Sequence, residues 1–257
     1  MFDGLYIGAT GMQAQQLNVD TIANNLANVN TAAYKKGRVQ FSELVMKGTA
    51  GTAAAPLGIA PTSAAGVGLA SATKLFDAGD LKKTDSPLDV AIQGEGFLEL
   101  AMPDGSRAYS RGGTLKVNAD GQLATQAGIP LKPGLTVPDN AEAVVMSATG
   151  RVQARIPGQP TLAEVGQLEM VRFTNTQGLL AQGGNVYRAT ELSGEPIGGR
   201  PGEDGMGSIA QGFLEGSNVK LVEEMVNLMV AQRAYEASVK VVQASDEMLG
   251  MINGLRR

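Results

Sequence analysis

The chain has 257 residues, a formal charge of −4 and no Cys, His or Trp. That composition removes disulfides, thiolate metal sites, His-based nucleophilic triads and most transition-metal centres. No basic tract is present, so nucleic acid is not an expected partner. Aromatic residues make up only 4%, so a core, for which the length suffices, is expected to be built from Ala, Val, Leu, Ile and Met.

The first predicted element is a helix from about Asp3 to Asn28. Leu5, Gly8, Met12, Gln15, Val19, Ile22 and Leu26 step by three and four along it, the spacing of a packed helical seam. No Lys or Arg precedes Lys35, and the segment lacks the basic start and unbroken apolar core of a cleavable signal peptide. No stretch is apolar enough to span a bilayer. The helix runs into Asn24-Asn25-Leu26-Ala27-Asn28-Val29-Asn30-Thr31, then Ala32-Ala33-Tyr34-Lys35-Lys36 and Val39-Gln40-Phe41-Ser42-Glu43-Leu44. Read alone, the Asn cluster is a frayed helix end, because Asn amides compete for backbone hydrogen bonds.

Residues 46–72 are rich in Ala, Gly and Thr and carry Pro56 and Pro61. They read as a flexible loop or linker. From 73 to 207 the pattern is that of an antiparallel β domain. Leu88–Gln93 and Gly96–Leu100 alternate. Asp104-Gly105 separates Leu98–Met102 from Arg107–Ser110 as in a hairpin. Asp120-Gly121 does the same for Leu115–Val117 with Leu123–Thr125, and Thr149-Gly150 for Val144–Met146 with Val152–Ala154. Glu169–Phe173 is a further strand, and a Gly- and Pro-rich return runs from Gly194 to Gly207.

The last element is a long helix over Ser217–Asn253. Leu221, Met225, Leu228, Gln232, Tyr235, Val239, Val242, Asp246 and Leu249 form its seam, and Val222, Val226 and Met229 widen the apolar stripe. Ser217 and Asn218 are candidate caps for its start. Glu223 and Glu224 suit the positive end of its dipole, and Arg256 and Arg257 lie beyond the negative end.

No active-site pattern emerges. Gly94-Glu95-Gly96 lacks the remainder of a dinucleotide-binding loop and reads as a turn or bulge. Asn118-Ala119-Asp120-Gly121 lacks the late acidic ligand of a calcium loop. Asp77, Asp80, Asp85 and Asp89 read as solvated loop charges. The expected chain is therefore not an enzyme and has no catalytic, cofactor or metal residues. A monomeric β-domain binding protein or hydrolase is the alternative of another class, and it needs convergent polar groups that no spacing supplies.

The ordered Asn24–Leu44 strings resemble the N-terminal motif of the bacterial flagellar axial proteins, and DVAIQGEGFLEL and YSRGG resemble that family's middle strings. Glu215–Val219, Glu224–Leu228 and Gln232–Glu236 resemble its C-terminal motif. Among its members the chain looks most like the basal-body rod proteins of the distal rod; the proximal rod subunit and the hook subunit are the alternatives. The resemblance implies an α+β fold with N- and C-terminal coiled-coil-type helices packed together and an inserted antiparallel β domain. It implies an inner core domain from 1–45 and 208–257, an extension over 46–72 and a middle domain over 73–207. The partners implied are copies of the chain in a helical polymer, the proximal rod and hook subunits, the surrounding P- and L-ring proteins and the flagellar type III export apparatus. The implied place is a periplasm-spanning rod, and the implied function is torque transmission. The assembly interface expected on this basis is Leu5, Met12, Val19, Ile22, Asn25, Leu26 and Asn28 at one end, with Met225, Leu228, Tyr235, Val239, Val242 and Leu249 at the other.

Overall fold

The computed structural model describes residues 2–47, 62–159 and 161–255. They gather into two compact units, each assembled from separate stretches of chain.

The helical unit holds α1 (Phe2–Ala27), β1 (Gly37–Lys47), β2 (Thr62–Lys74, as far as Thr73) and α2 (Leu221–Leu255). The interior of α1 is rich in Ala, Gln and Leu, which enter helices at low cost. The helix stops at Ala27, where the Asn cluster turns the chain: Thr31 N donates to Asn28 O at 3.1 Å. At 35 residues, α2 is about 52 Å long at 1.5 Å per residue. Arg256 and Arg257 lie outside the described residues. β1 and β2 pair as a two-stranded sheet. The flexible extension read over residues 46–72 therefore includes a strand from Thr62 onward, and its residues 48–61 lie outside the described part. Low side-chain volume hid this strand, because Ala, Gly and Thr give no apolar alternation.

The β unit holds residues 28–36 and 74–219. Its hairpins fall where the Asp-Gly and Thr-Gly turns place them. Phe97–Ala101 pairs antiparallel with Arg107–Ser110, Gly112–Val117 with Leu123–Thr125, and Ala143–Met146 with Arg151–Arg155. The strand expected at Glu169–Phe173 spans Met170–Arg172 and pairs with Phe97–Ala101 and Ile197–Gly199. Asp89–Gln93 does not alternate in burial: Asp89, Val90, Ala91 and Ile92 are all buried. It lies inside a four-stranded sheet, between Ser208–Gln211 and Gly112–Val117, and both of its faces are covered.

Alternate residues of the strands feed two separate cores. Leu98, Leu100, Ala108, Met170 and Val186 enter the larger, aliphatic core. Phe97, Tyr109, Val171 and Tyr187, their sequence neighbours, enter a second one with Phe173 and Leu179. This follows from the two-residue period of a strand. The second core corrects the expectation of an aliphatic interior. Six Phe and five Tyr are few, but five of them meet edge to face. Phe76 and Phe97 lie 5.2 Å apart, Phe76 and Tyr187 4.9 Å, and Tyr109 and Phe173 4.8 Å, the arrangement that ring quadrupoles favour.

Candidate assembly interface

The two helices of the helical unit meet through small residues. A Cβ added at Gly8 would stand 2.7 Å from Val242 Cγ2, while one at Gly4 or Gly11 would meet Ser245 Oγ or Ser238 Oγ at 3.7 or 3.5 Å. Both serines spend their hydroxyls on their own helix, Ser238 donating to Ala234 O and Ser245 to Val241 O. They can therefore face a glycine without an unmet donor.

The α2 row turned inward is Glu224, Leu228, Ala231, Ala234, Ser238, Val239, Val242 and Ser245. The seam drawn from the sequence shares Leu228, Val239 and Val242 with it. Leu221, Met225, Gln232, Tyr235 and Asp246 of that seam are exposed. The reason lies in the glycines of α1: the close approach they permit selects small side chains opposite, and apolar spacing carries no record of that. The result is an apolar stripe left outward along the first half of α2. It comprises Val222, 74% exposed, with Met225, Val226, Met229 and Val230.

On α1, Leu5, Met12, Val19 and Leu26 are half-buried and Ile22 is buried. On α2, Met225 and Tyr235 are exposed, Leu228, Val239 and Val242 are half-buried, and the side chain of Leu249 lies outside the described residues. Asn28 is half-buried. Asn25 is buried within the chain. Its Oδ1 accepts from Gly37 N at 2.8 Å and its Nδ2 donates to Gly37 O at 3.0 Å and to Glu224 Oε2 at 3.1 Å. One amide thus ties α1, the start of β1 and the first turn of α2 together.

Asn218 is not a helix cap. Lys220 O accepts the Glu224 N–H at the start of α2. The Asn218 side chain instead accepts from Lys36 N at 2.8 Å and donates to Leu75 O and Asp77 O. It joins three chain segments inside the β unit.

A buried charge cluster lies beside it. Lys35, 0% exposed, donates to Glu215 Oε1 at 2.7 Å and Asp77 O at 2.6 Å. Arg111 Nε reaches Glu215 Oε2 at 3.3 Å, and its remaining donors reach Gly94 O, Gly96 O and Ile92 O. Gly79 N adds a further donor to Glu215. Burial alone would raise the Glu215 carboxyl, but Arg111 and Lys35 outweigh it and hold the carboxyl below its ordinary value. Burial holds the Lys35 ammonium below its own ordinary value, since the carboxylate it bonds is shared with Arg111. Sequence reasoning did not single out Lys35, Arg111 or Glu215 as a group. Each lay inside a quoted motif, AAYKK, YSRGG and EGSNV, but nothing in one dimension brings the three together.

Comparison with known proteins follows the same three segments. Residues 5–35 match the family described as Flagella basal body rod protein. Residues 91–154 match the Flagellar hook protein FlgE/F/G D1 domain, and 210–255 the Flagellar basal body rod FlgEFG protein C-terminal. The chain is 42% identical to the flagellar basal-body rod protein FlgG of Borreliella burgdorferi, covering 100% of both chains. It is 41% identical to FlgG of Caulobacter vibrioides over 98% of each. It is 32% identical to the rod protein FlgF of Salmonella typhimurium over 96% of each. Lys35, Arg111 and Glu215 each fall in a different matched segment.

Proposed function

The chain belongs to the flagellar basal-body rod protein family, and from that premise we propose that it is a structural subunit of the distal rod, where copies assemble into a helical tube that passes torque from motor to hook. Its place is the flagellar basal body, and its partners are basal-body components. More finely, these are sister copies, the proximal rod and hook subunits next to it along the axis and the P- and L-rings around it. Export through the flagellar type III apparatus and a periplasm-spanning position complete the reading, which assigns no catalytic step.

The observation that carries it is the outward apolar stripe of α2. Val222, Val226 and Met229 are exposed although α1 already packs on the neighbouring face. Covering them with the terminal helices of other copies, in coiled-coil fashion, stabilises each contact by about 25 cal/mol per Å² of apolar area. The contacts are head-to-tail, so a rotation that does not close a ring builds an open tube. On this reading Leu5, Met12, Val19, Ile22 and Leu26 act with Leu228, Val239 and Val242 to set the inner helix pair. Met225 and Tyr235 meet neighbours.

The test is to image basal bodies from a strain lacking the chain. Assembly is expected to stop at the end of the proximal rod, with no hook. Basal bodies with a full rod and hook would overturn the proposal. The 32% identity to a second rod protein, FlgF, supports another position within the rod as the second reading, and in that case assembly stops at a different point.

A further inference from the structure

The β unit carries a cleft of about 460 Å³ walled by Phe76, Phe97 and Phe173, with Arg172 and Gln177 also lining it. Arg172 makes no ion pair among the described residues, and its Nε is buried with no acceptor. A buried donor left unmet is costly, and the natural complement of a guanidinium is a carboxylate. Glu95 and Asp77 line the same cleft, and neither pairs with Arg172. Arg111 lines the cleft too, but its donors are taken by Glu215, Gly94 O, Gly96 O and Ile92 O.

The same unit presents a knob of matching chemistry. Leu192 is 78% exposed, and Glu191 beside it is exposed and makes no ion pair among the described residues. The turn that carries them is fixed. Ser193 is fully buried, its Oγ donating to Thr190 O at 2.8 Å and accepting from Thr190 N at 3.0 Å, and Asn175 Nδ2 donates to Leu192 O at 3.0 Å. A turn held this firmly loses little freedom on docking. At its observed exposure Leu192 does not fill the cleft of its own molecule.

We propose that Glu191 and Leu192 of one copy seat in this cleft of a second copy, the carboxylate on Arg172 and the leucine against the phenylalanine wall. This rests on the rod reading, which makes sister copies neighbours. Knob and cleft adjoin, since Asn175, which holds the Leu192 carbonyl, sits between Thr174 and Thr176 of the cleft wall.

The experiment follows self-association of the full chain by light scattering. Arg172→Glu and Glu191→Arg are each expected to weaken it on the order of tenfold, and the double charge swap to restore most of the loss. Leu192→Ala is expected to weaken it without touching either charge. Should Arg172→Glu disturb folding, Glu191→Arg and Leu192→Ala lie on an exposed turn and decide the matter alone. Wild-type association by both of those variants overturns the proposal, as does a double swap no better than the worse single variant. A strain lacking the chain that still completes its rod overturns the rod reading. A strain that needs the chain but accepts Glu191→Arg and Leu192→Ala unchanged overturns the cleft contact alone.

Discussion

Ala33 sits at φ +57° with its side chain buried. In the left-handed region a Cβ crowds the following carbonyl at about 1–2 kcal/mol. The Ala33 N–H donates to Glu215 O at 2.7 Å, which is part of what holds the strained backbone in place. Ala33→Gly removes the crowding but loosens the unfolded chain, so a change within about 0.5 kcal/mol is expected. Ala33→Val adds a branched side chain in that region and is expected to cost roughly 2 kcal/mol or more. Chemical denaturation of the two variants checks the contrast. The buried ions next to it invite a second comparison. Glu215 faces two cations, while each cation has a share of one anion. Glu215→Ala therefore strands Lys35 and Arg111 in the interior, at about 3–5 kcal/mol. Lys35→Met leaves the Arg111–Glu215 pair intact and is expected to cost clearly less. The pH dependence follows in sign. Because the folded carboxyl is held below 4.5, its stabilisation is fully present above that value and is lost as the pH falls below it. Acid unfolding of Glu215→Gln should lack this component. Identical acid midpoints for wild type and variant would sink the assignment.

At the scale of elements, the contact between α1 and α2 makes opposite predictions for glycines one turn apart. Gly4 has room for a methyl group at ordinary contact distance, and Gly8 does not. Gly4→Ala is expected to stabilise the helical unit by about 0.5–1 kcal/mol through helix propensity. Gly8→Ala is expected to destabilise it by roughly 1–3 kcal/mol through overpacking against Val242, and Val242→Ala should relieve much of that loss. Hydrogen exchange along α1 reads both signs. The helices and hairpins were legible from period and turn chemistry, because Asp104-Gly105 and Asp120-Gly121 demand chain reversal whatever surrounds them. The inward face of α2 was legible only at Leu228, Val239 and Val242. Spacing marks which residues are apolar, and this contact chose Ser238, Ser245 and Ala231 for their size. β2 stayed hidden for a related reason, since its partner strand supplies the hydrogen bonds and its own side chains report little. Lys35 and Glu215 were unreadable as a buried pair because they are 180 positions apart.

For the whole molecule, the question is whether association can be removed without harm to either unit. A charge at Leu228 tests both at once, because Leu228 is half-buried in the row of α2 that faces α1. Val226 and Met229 are the better probes: both are exposed in the single chain, so an aspartate there meets water in the monomer. Each side chain, once covered by a neighbour, contributes on the order of 1.5–3 kcal/mol, and a carboxylate in that dry contact costs several kcal/mol more. Val226→Asp and Met229→Asp are thus expected to leave the thermal midpoint of the monomer within a degree or two of wild type, as surface changes do. The same variants are expected to abolish polymer growth, and motility with it, when they replace the native chain. Sedimentation and swarming of the two variants separate the possibilities. A stable monomer that fails to polymerise places the stripe at the contact between copies. Rods built normally from Val226→Asp subunits would remove α2 from that contact and leave the stripe without a role.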